Sequence, residues 1–336
     1  MHPTLAKQTG IRAGLRAAIP MAIASFPFGL AYGVAVVAAP IDQWVGASAS
    51  WLVLAGAAQL SMLELIGSRA SWVIVIATGL VINARFALYS AALAPAFASF
   101  PPRWRFTLPY CMTDQAAALS LQFFAGEPDP VARRWFYLST GLVITAFYWI
   151  GTLTGIAAGA ALPASLDIGF VVPLVFIVLI VPTVIDRPAV IAVLVAGGVT
   201  LATRALPHGS NILLGRGRRH PRGGARRPGA RMTPLAQFAV AGLGTYLLRL
   251  SAIALVGQGV VIPPRVERTL RLIAPAVLSA IVANSLILNA GQFNPRVSWY
   301  VGAIVAALVV WRARSMAWAM LAAFVAVWGL QGLGVR

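Results

Sequence analysis

Long apolar stretches constrain this chain more than any other feature of its sequence. A bilayer core about 30 Å thick is crossed by a helix of roughly 20 apolar residues. Stretches of about this length lie at residues 16–39, 44–66, 70–95, 106–124, 134–159, 168–186, 188–204, 235–257, 269–290, 297–312 and 314–333. They are continuous, whereas transmembrane β-strands are short and alternate. We therefore predict an all-α polytopic integral membrane protein with about eleven transmembrane helices in two blocks, the last two helices forming a hairpin.

Composition supports this class and argues against several others. The chain is 60% hydrophobic and 10% charged, whereas soluble domains carry roughly 25% charged residues. The net charge is +18, but the basic residues lie between the apolar stretches, as in cytoplasmic loops. We therefore predict no nucleic-acid partner. Cys111 is the single cysteine, so no internal disulfide forms, and we predict no metal site and no cofactor.

One polar segment separates the two blocks. Residues 216–231 contain only Arg, Gly, Pro, Ala and His, a composition that cannot bury a core, and we expect this linker to be disordered. The chain is thus divided into 1–215, 216–231 and 232–336. Two interpretations stay open: a natural basic linker, or a fusion of two reading frames in which out-of-frame sequence replaced the last helix of the first block.

The positive-inside tendency gives a topology that does not fully agree with the basic residues. Lys7 and its basic neighbours favour a cytoplasmic N-terminus. Seven alternating crossings then place Arg69 inside, but Arg103 and the linker outside, against the tendency. A miscounted crossing or a re-entrant segment would explain the mismatch.

Ionisable residues within apolar stretches are costly in lipid and indicate functional sites. Asp114 lies in the first half of the fourth stretch, where it could couple protons, bind an ammonium group, or form a structural ion pair. Arg85 offers a planar fork of donors suited to a carboxylate, either of a substrate or of Asp114. Asn83 is a ligand or an interhelical hydrogen-bond partner. Glu64 is a second candidate for proton coupling, near the end of its stretch.

Other polar or small residues could contact a substrate. Gln59 follows a run of small residues that permits close helix approach, so its amide could face a ligand or a neighbouring helix. Phe28 and Gly29 adjoin Pro27, which produces either a discontinuous helix that exposes backbone to substrate or an ordinary kink. Arg249 is interpreted as snorkelling to an interface.

Glycines spaced by four residues predict a helix-packing seam rather than a site. They are Gly151, Gly155 and Gly159.

Enzyme signatures are missing from the sequence. It contains no His-Glu-x-x-His, no Gly-x-Ser-x-Gly and no phosphate-binding loop. His2, His208 and His220 all lie outside the apolar stretches. A transport protein is therefore a better interpretation than an enzyme.

Six segments carry a resemblance to known proteins: 27–33, 55–59, 83–89 and 113–114 in the first block, and 245–249 and 263–280 in the second. Through them the first block resembles the AzlC family of branched-chain amino acid permeases, and the second block resembles its small AzlD partner.

The resemblance implies export of valine, leucine and isoleucine, with methionine as a further candidate, across a bacterial cytoplasmic (inner) membrane. The zwitterionic substrate is neutral, so membrane potential alone cannot drive it, and we expect coupling to protons. Apolar side chains would accept the aliphatic group, Arg85 or first-span backbone the carboxylate, and Asp114 the ammonium group or a proton. The large block is expected to pack on the small block in the lipid bilayer, and homo-oligomerisation is open. The alternative is an inactive or regulatory assembly with a damaged junction.

Overall fold

A computed structural model of the chain describes residues 3–161, 170–181, 184, 186–202, 232–256, 272, 275–289, 292–293, 296–313 and 315–334. The linker predicted at 216–231 lies outside the described residues. The helices are α1 (Pro3–Ala38), α2 (Gln43–Leu52), α3 (Gly56–Gly67), α4 (Trp72–Asn83), α5 (Arg85–Phe97), α6 (Pro102–Thr107), α7 (Asp114–Gly126), α8 (Pro130–Ala161), α9 (Val171–Ile180), α10 (Arg187–Ala202), α11 (Pro234–Val256), α12 (Pro275–Ile287), α13 (Val297–Ala313) and α14 (Met316–Gly332).

The long helices α1 and α8 run side by side in the same direction. A methyl group added at Gly10 would lie 2.3 Å from the carbonyl oxygen of Ala132, and one added at Gly33 would lie 2.2 Å from that of Thr152. Successive glycines of α1 therefore meet successive turns of α8. We call the side of the molecule at which both helices begin the N-side, and the side at which they end the C-side.

The predicted packing seam lies at this contact. Gly151 and Gly155 face the carbonyl oxygens of Phe26 and Leu30, at 2.3 and 2.1 Å from the position of an added methyl group. Gly159 lies close to α1 one turn further on. The absence of side chains lets two helix backbones touch, and the prediction of a seam is confirmed.

The helices α2 and α3 form a hairpin that starts and ends on the C-side. α2 packs antiparallel to α1, because Gly46 near the start of α2 contacts Val36 near the end of α1. The chain turns at residues 53–55, and α3 then returns, so that Gly67 at its end lies beside Pro40, just after the end of α1. The two helices therefore enter and leave the molecule on one side.

The depth of this hairpin is about half a membrane. α2 has ten residues, a length of about 15 Å at 1.5 Å per residue, whereas the bilayer core measures about 30 Å. Gly56, the first residue of α3, packs on the ring of Phe28 within α1. The prediction of a crossing at 44–66 is therefore wrong, and the segment is a re-entrant hairpin.

The helices α4 and α5 together cross from the C-side to the N-side. Gly79 in α4 packs on α3, and Phe97 at the end of α5 places its ring 5.2 Å from that of Tyr137, near the start of α8. Ala84 separates the two helices but keeps right-handed helical dihedrals, φ −56 and ψ −25. The segment Trp72–Phe97 thus acts as one span of 26 residues.

A second hairpin enters from the N-side. Its first arm begins with α6, where the ring of Trp104 lies 5.3 Å from that of Trp135 near the start of α8. The arm continues through a 3-10 turn, Leu108–Cys111, and Cys111 packs against Gly141, further along α8. This arm therefore moves inward from the N-side.

The second arm of this hairpin is α7, which returns to the N-side. Its Phe123 stacks on Phe136 with ring centroids 4.0 Å apart. The crossing predicted at 106–124 is therefore wrong, because the segment turns back midway. Asp114 is the first residue of α7, after Thr113, and does not lie within a continuous span as predicted.

The described residues contain three helical segments that are long and apolar enough to cross a membrane: Thr4–Ala38, Trp72–Phe97 and Pro130–Ala161. The predicted count of eleven crossings is not confirmed. Two re-entrant hairpins in place of two crossings also move Arg103 to the N-side and Arg69 to the C-side, the reverse of the prediction. The N-side then carries Lys7, Arg12, Arg16, Arg103, Arg105, Arg133 and Arg134.

In the second block, α11 runs beside α4 and α5 in the same direction. Gly244 meets Leu80 in α4, and further on the carbonyl of Arg249 accepts a hydrogen bond from Ser90 in α5. Like α4, α11 therefore begins on the C-side.

The last helices form the hairpin that the sequence predicts, since Gly302 in α13 meets Val327 in α14. The stretch predicted at 269–290 is described only in part: α12 ends in a π-helical turn, Ala283–Ile287, followed by a two-stranded antiparallel ribbon that pairs Leu288 with Phe293.

Large apolar side chains lie on the outer faces of these helices. A surface of this kind marks contact with lipid. Examples on five helices are Ile150, Leu153, Leu194, Leu243, Leu308 and Val325. These outer faces and the long apolar helices identify a membrane protein.

Candidate functional site

The tips of the two hairpins interrupt the regular helical backbone of the first block. Residues 53–55 are buried, and Leu54 has φ 46. This left-handed conformation costs a residue other than glycine about 1–3 kcal/mol, so its surroundings must hold it. The carbonyls that end α2 also lose their helical partners here and need other donors, because irregular backbone at membrane depth must be satisfied by protein.

At the other tip, α7 begins with a capped helix terminus. The hydroxyl oxygen of Thr113 accepts a hydrogen bond of 3.1 Å from the backbone N–H of Ala116. Asp114 follows as the first helical residue, where the helix dipole favours negative charge. The local sequence therefore stabilises a carboxylate at the tip.

Arg85 and Asp114 form an ion pair. Arg85 Nη2 lies 3.0 Å from Asp114 Oδ2, and the two side chains are 19% and 39% exposed. Of the two roles considered for Arg85, the structure shows the one in which it neutralises Asp114. Because both side chains remain partly accessible, an incoming ligand could compete for either of them.

Arg249 from the second block reaches both tips. Its Nη1 donates to the carbonyl of Tyr110 at 3.0 Å, and its Nη2 donates to the carbonyl of Leu54 at 2.8 Å. Its side chain is 1% exposed and lies 4.3 Å above the ring of Phe86. The interpretation that Arg249 snorkels to an interface is therefore wrong, because broken helices inside the protein supply the acceptors that water would otherwise supply.

We define the charged cluster as Arg85, Asp114 and Arg249. Asp114 attracts the guanidinium of Arg249 electrostatically as well as that of Arg85. Two cations and one anion leave the cluster with one net positive charge. The starts of α3 and α7 add partial positive charge nearby.

Asn83 fixes the register between α4 and α11. Its Nδ2 donates to the hydroxyl of Thr245 at 2.8 Å, one helical turn before Arg249. The structure therefore shows the interhelical bond that was one of the two interpretations of Asn83. Ser90 adds to this register, because its hydroxyl accepts from the N–H of Ile253 at 3.3 Å.

Gln59 belongs to a buried hydrogen-bond network. Its Nε2 donates to the Ser50 hydroxyl at 3.1 Å, and its Oε1 accepts from the Tyr148 hydroxyl at 2.8 Å. The hydroxyls of Ser50 and Thr152 lie 3.3 Å apart. We call these four residues the Gln59 network, which links α2, α3 and α8 beside the first tip.

Phe28 lies against the same tip, with its ring on Gly56 and 6.2 Å from the ring of Tyr148. Gly29 has a packing role: a methyl group added there would lie 2.1 Å from the carbonyl oxygen of Tyr148. The interpretation of the first span as a discontinuous helix is wrong, because α1 is unbroken through Pro27. The discontinuity lies in the two hairpins instead.

Glu64 is not brought to the charged cluster. It lies on the last turn of α3, about 12 Å along the helix axis from the tip. The predicted site residues thus fall into three places: Asn83, Arg85 and Asp114 around the charged cluster, Phe28, Gly29 and Gln59 beside the first tip, and Glu64 towards the C-side.

Asn83 and the three residues of the charged cluster each have one buried polar atom without a hydrogen-bond partner in the described residues. Two are donors, Arg85 Nε and Arg249 Nε, and two are acceptors, Asn83 Oδ1 and Asp114 Oδ1. Buried polar groups are normally paired, so unpaired groups of both kinds suit a polar ligand. Among the described residues, no group of three or more His, Cys, Asp or Glu side chains could hold a metal ion.

Arg249 is the residue whose importance the sequence reasoning missed. The available signal was its position in the middle of an apolar helix, four residues after Thr245 and therefore on the same face. An arginine there needs buried acceptors, and interrupted helices in another block are one source of them.

Apolar outer faces, re-entrant helices and a charged cluster between their tips are features that membrane transporters share. Residues 20–162 match the family described as AzlC protein, and residues 235–331 match the family described as branched-chain amino acid transport protein (AzlD). Two family models thus match in one chain, AzlC first and AzlD second, which is consistent with an AzlC–AzlD fusion.

A curated relative is also a membrane protein, and its description states no function. An uncharacterized membrane protein of Helicobacter pylori (strain ATCC 700392 / 26695) is 29% identical over 155 residues, which cover 45% of this chain and 65% of the relative. The chain thus spans about two thirds of that protein's length. No solved structure gives a significant match.

Proposed function

We propose that this protein is a secondary active transporter that exports valine, leucine and isoleucine, with methionine as a further substrate, in exchange for protons. The description of the AzlD family as branched-chain amino acid transport protein supports the substrate class. The charged cluster and its unpaired atoms carry the proposal, because they match the two ends of an amino acid.

An α-amino acid presents a carboxylate, which accepts hydrogen bonds, and an ammonium group, which donates them. The unpaired donor Arg85 Nε suits the first, and the unpaired acceptors Asn83 Oδ1 and Asp114 Oδ1 suit the second. The net positive charge of the cluster favours the carboxylate further. In this proposal Arg85 binds the carboxylate, and Asp114 and Asn83 bind the ammonium group.

The aliphatic side chain needs an apolar surface next to these groups. Phe28 and Gly56 form such a surface at the first tip, with Gly29 setting the close approach of α1 to α8. Gln59, held by Tyr148 and Ser50, closes the surface on one side. A branched chain fills this kind of pocket better than a linear polar one.

Asp114 is the proposed coupling group. Its ionised carboxylate would bind the ammonium group, and protonation of the carboxyl would remove that negative charge, so that proton and substrate occupy Asp114 in turn, as exchange requires. Glu64 would pass protons between the C-side and the cluster. Because a zwitterion is neutral, an imposed pH gradient and not membrane potential alone should set the rate of transport.

The orientation follows from the basic N-side, which we assign to the cytoplasm of a bacterium by the positive-inside tendency. The first hairpin then opens towards the outside and the second towards the cytoplasm. Movement of one tip at a time would expose the cluster to alternate sides. The two blocks would act as one packed unit, which the bonds of Thr245 and Arg249 to the first block support.

The experiment that tests this proposal is valine efflux from preloaded cells that lack their own exporters. The wild-type chain should accelerate efflux, and Asp114→Asn should abolish it at equal membrane abundance. Asp42→Asn is the matched control, since Asp42 is an exposed carboxylate that caps α2 and asparagine caps helices equally well.

Each result has a definite meaning. No valine efflux with wild type would refute the substrate class and favour an inactive or regulatory assembly. Full efflux with Asp114→Asn would refute the coupling role and leave export standing. Efflux that ignores an imposed pH gradient would refute proton exchange.

A further inference from the structure

The two hairpin tips enter from opposite sides of the molecule, and no covalent bond holds one tip directly to the other. Leu54 lies in the tip that enters from the C-side, and Tyr110 lies in the arm that enters from the N-side. Their carbonyls are held by one side chain, at 2.8 and 3.0 Å from the two terminal nitrogens of Arg249. A bond within the first block also joins the two hairpins, from the Tyr110 hydroxyl to the carbonyl of Trp51 at 2.6 Å, but the side chain that bridges the carbonyls of Leu54 and Tyr110 belongs to the other block.

The chemistry of this contact requires arginine. The guanidinium is planar and presents its donors in a fixed fork, whereas the ammonium of lysine is a single point of charge. One terminal nitrogen serves each tip, and the flat face lies on Phe86. A lysine could satisfy one carbonyl group but could not span both.

The position of Arg249 is itself fixed from two directions. Thr245 bonds to Asn83 one turn before it, and Ser90 bonds to the carbonyl of Arg249 and the N–H of Ile253. The backbone of α11 is thus aligned with α4 and α5 over two turns. The guanidinium reaches the tips from a rigid base.

Both tips lead directly into groups of the transport site. Leu54 precedes the start of α3, which carries Gly56 and Gln59, and Tyr110 precedes the start of α7, which carries Asp114. A shift of either tip would therefore move half of the site relative to the other half.

We propose that Arg249 is a positioning residue that locks the two hairpin tips together, so that the site of the AzlC-like block is complete only with the AzlD-like block in place. The lock holds the strained turn at Leu54 and sets the distance between the starts of α3 and α7. Release of one carbonyl while the other stays bound frees one tip, which is the movement that alternate opening needs. The role of the lock in transport rests on the proposed function, whereas the contacts of Arg249 with the two tips do not.

Cys111 provides an internal probe of the lock. It is buried, follows Tyr110 directly and packs against Gly141. In the purified full chain, N-ethylmaleimide should label Cys111 slowly. In Arg249→Gln, labelling should be about tenfold faster or more, because loss of charge-assisted hydrogen bonds shifts a local opening equilibrium by at least that factor.

A matched control comes from the same helix. Tyr246 also bonds to the first block, through its hydroxyl to the carbonyl of Phe106 at 2.7 Å, but it touches neither tip. Tyr246→Phe should therefore leave the labelling of Cys111 unchanged. Arg249→Lys keeps the charge without the fork and should give an intermediate labelling rate, and it serves for the same measurement where Arg249→Gln fails to accumulate.

Transport kinetics in proteoliposomes complete the test. A positioning role predicts that Arg249→Lys raises the KM for valine about tenfold and lowers kcat, while Tyr246→Phe changes neither. The lock would be overturned if N-ethylmaleimide labelled Cys111 in Arg249→Gln at the same rate as in the wild type. It would also be overturned if Arg249→Lys showed the wild-type labelling rate together with an unchanged KM. The labelling measurement needs no substrate. If it confirms the lock but the protein does not transport valine, only the proposed function is refuted.

Discussion

The seam between α1 and α8 and the charged cluster are built by opposite means. In the seam, glycines bring two unbroken helices to backbone contact, with no charge involved. In the charged cluster, two broken helices are held apart and joined through long charged side chains. The seam has one close-packed arrangement, whereas the cluster has bonds that can exchange partners.

This difference separates the fixed part of the molecule from the part that can move. Backbone contact through glycines is lost abruptly when the helices separate, because dispersion attraction acts only at contact. Hydrogen bonds of a guanidinium to carbonyls can be replaced one at a time by water or by a ligand. We therefore expect changes in the seam to affect folding and changes in the cluster to affect transport.

The largest effect should come from the seam. In Gly155→Leu, the first added carbon would lie 2.1 Å from the carbonyl oxygen of Leu30, so α1 and α8 must separate. We expect a loss of about 3 kcal/mol or more in the free energy of unfolding, measured by thermal unfolding in detergent.

Gly198→Leu is the control for this change, since nothing lies within 4 Å of an added methyl group there. A thermal midpoint of Gly155→Leu equal to that of Gly198→Leu would contradict the role of the seam.

Arg85→Gln should destabilise the fold less than Gly155→Leu does, and its main effect should be on transport. The variant leaves Asp114 without its ion pair of 3.0 Å, and we expect about tenfold less valine efflux, as for loss of one charge-assisted hydrogen bond. The double variant with Asp114→Asn should recover thermal stability but not efflux. Recovery of efflux in the double variant would show that the pair is only structural.

A still smaller effect should come from the Gln59 network. Gln59→Leu leaves the Tyr148 hydroxyl without its acceptor at 2.8 Å, and we expect a loss of about 1 kcal/mol in unfolding free energy. Tyr148→Phe in the same chain should add little to this loss, because both changes remove the bond between Tyr148 and Gln59. Additive losses in a double-mutant cycle would show that the two side chains act independently.

The last prediction concerns cysteine variants that should change neither folding nor transport, and it tests which segments cross the membrane. Cysteines placed singly at Arg103 and Ser68, with Cys111→Ser, should react with an impermeant maleimide from opposite sides. Arg103→Cys should react in inside-out vesicles and Ser68→Cys in right-side-out vesicles. The reverse pattern would restore the crossings predicted at 44–66 and 106–124.

The sequence was sufficient for the membrane class and the seam, because these depend on length, composition and spacing. It was insufficient for the hairpins, because an apolar segment of 23 residues such as 44–66 reads the same whether it crosses or turns back. The turn at Leu54 carries no proline and no glycine of positive φ that would mark it. Contacts distant in sequence stabilise it, among them the hydrogen bond from Arg249, nearly 200 residues away in the chain.

The site was predictable where the residue types are costly in lipid and unpredictable where they are not. Asp114 and Arg85 were recognised from charge alone, and the structure pairs them. The roles of Gln59 and Phe28 depend on where α3 begins, which no local pattern specifies. Their use in binding remains a prediction.

The burial of Arg249 also bears on how such a protein is made. A second block inserted alone would expose a guanidinium to hydrocarbon, at about 2.5 kcal/mol or more, and a first block alone would leave the carbonyls of Leu54 and Tyr110 unsatisfied. Each half is thus an incomplete product that cellular quality control can recognise. Joining both in one polypeptide fixes their stoichiometry at one to one and makes their association intramolecular.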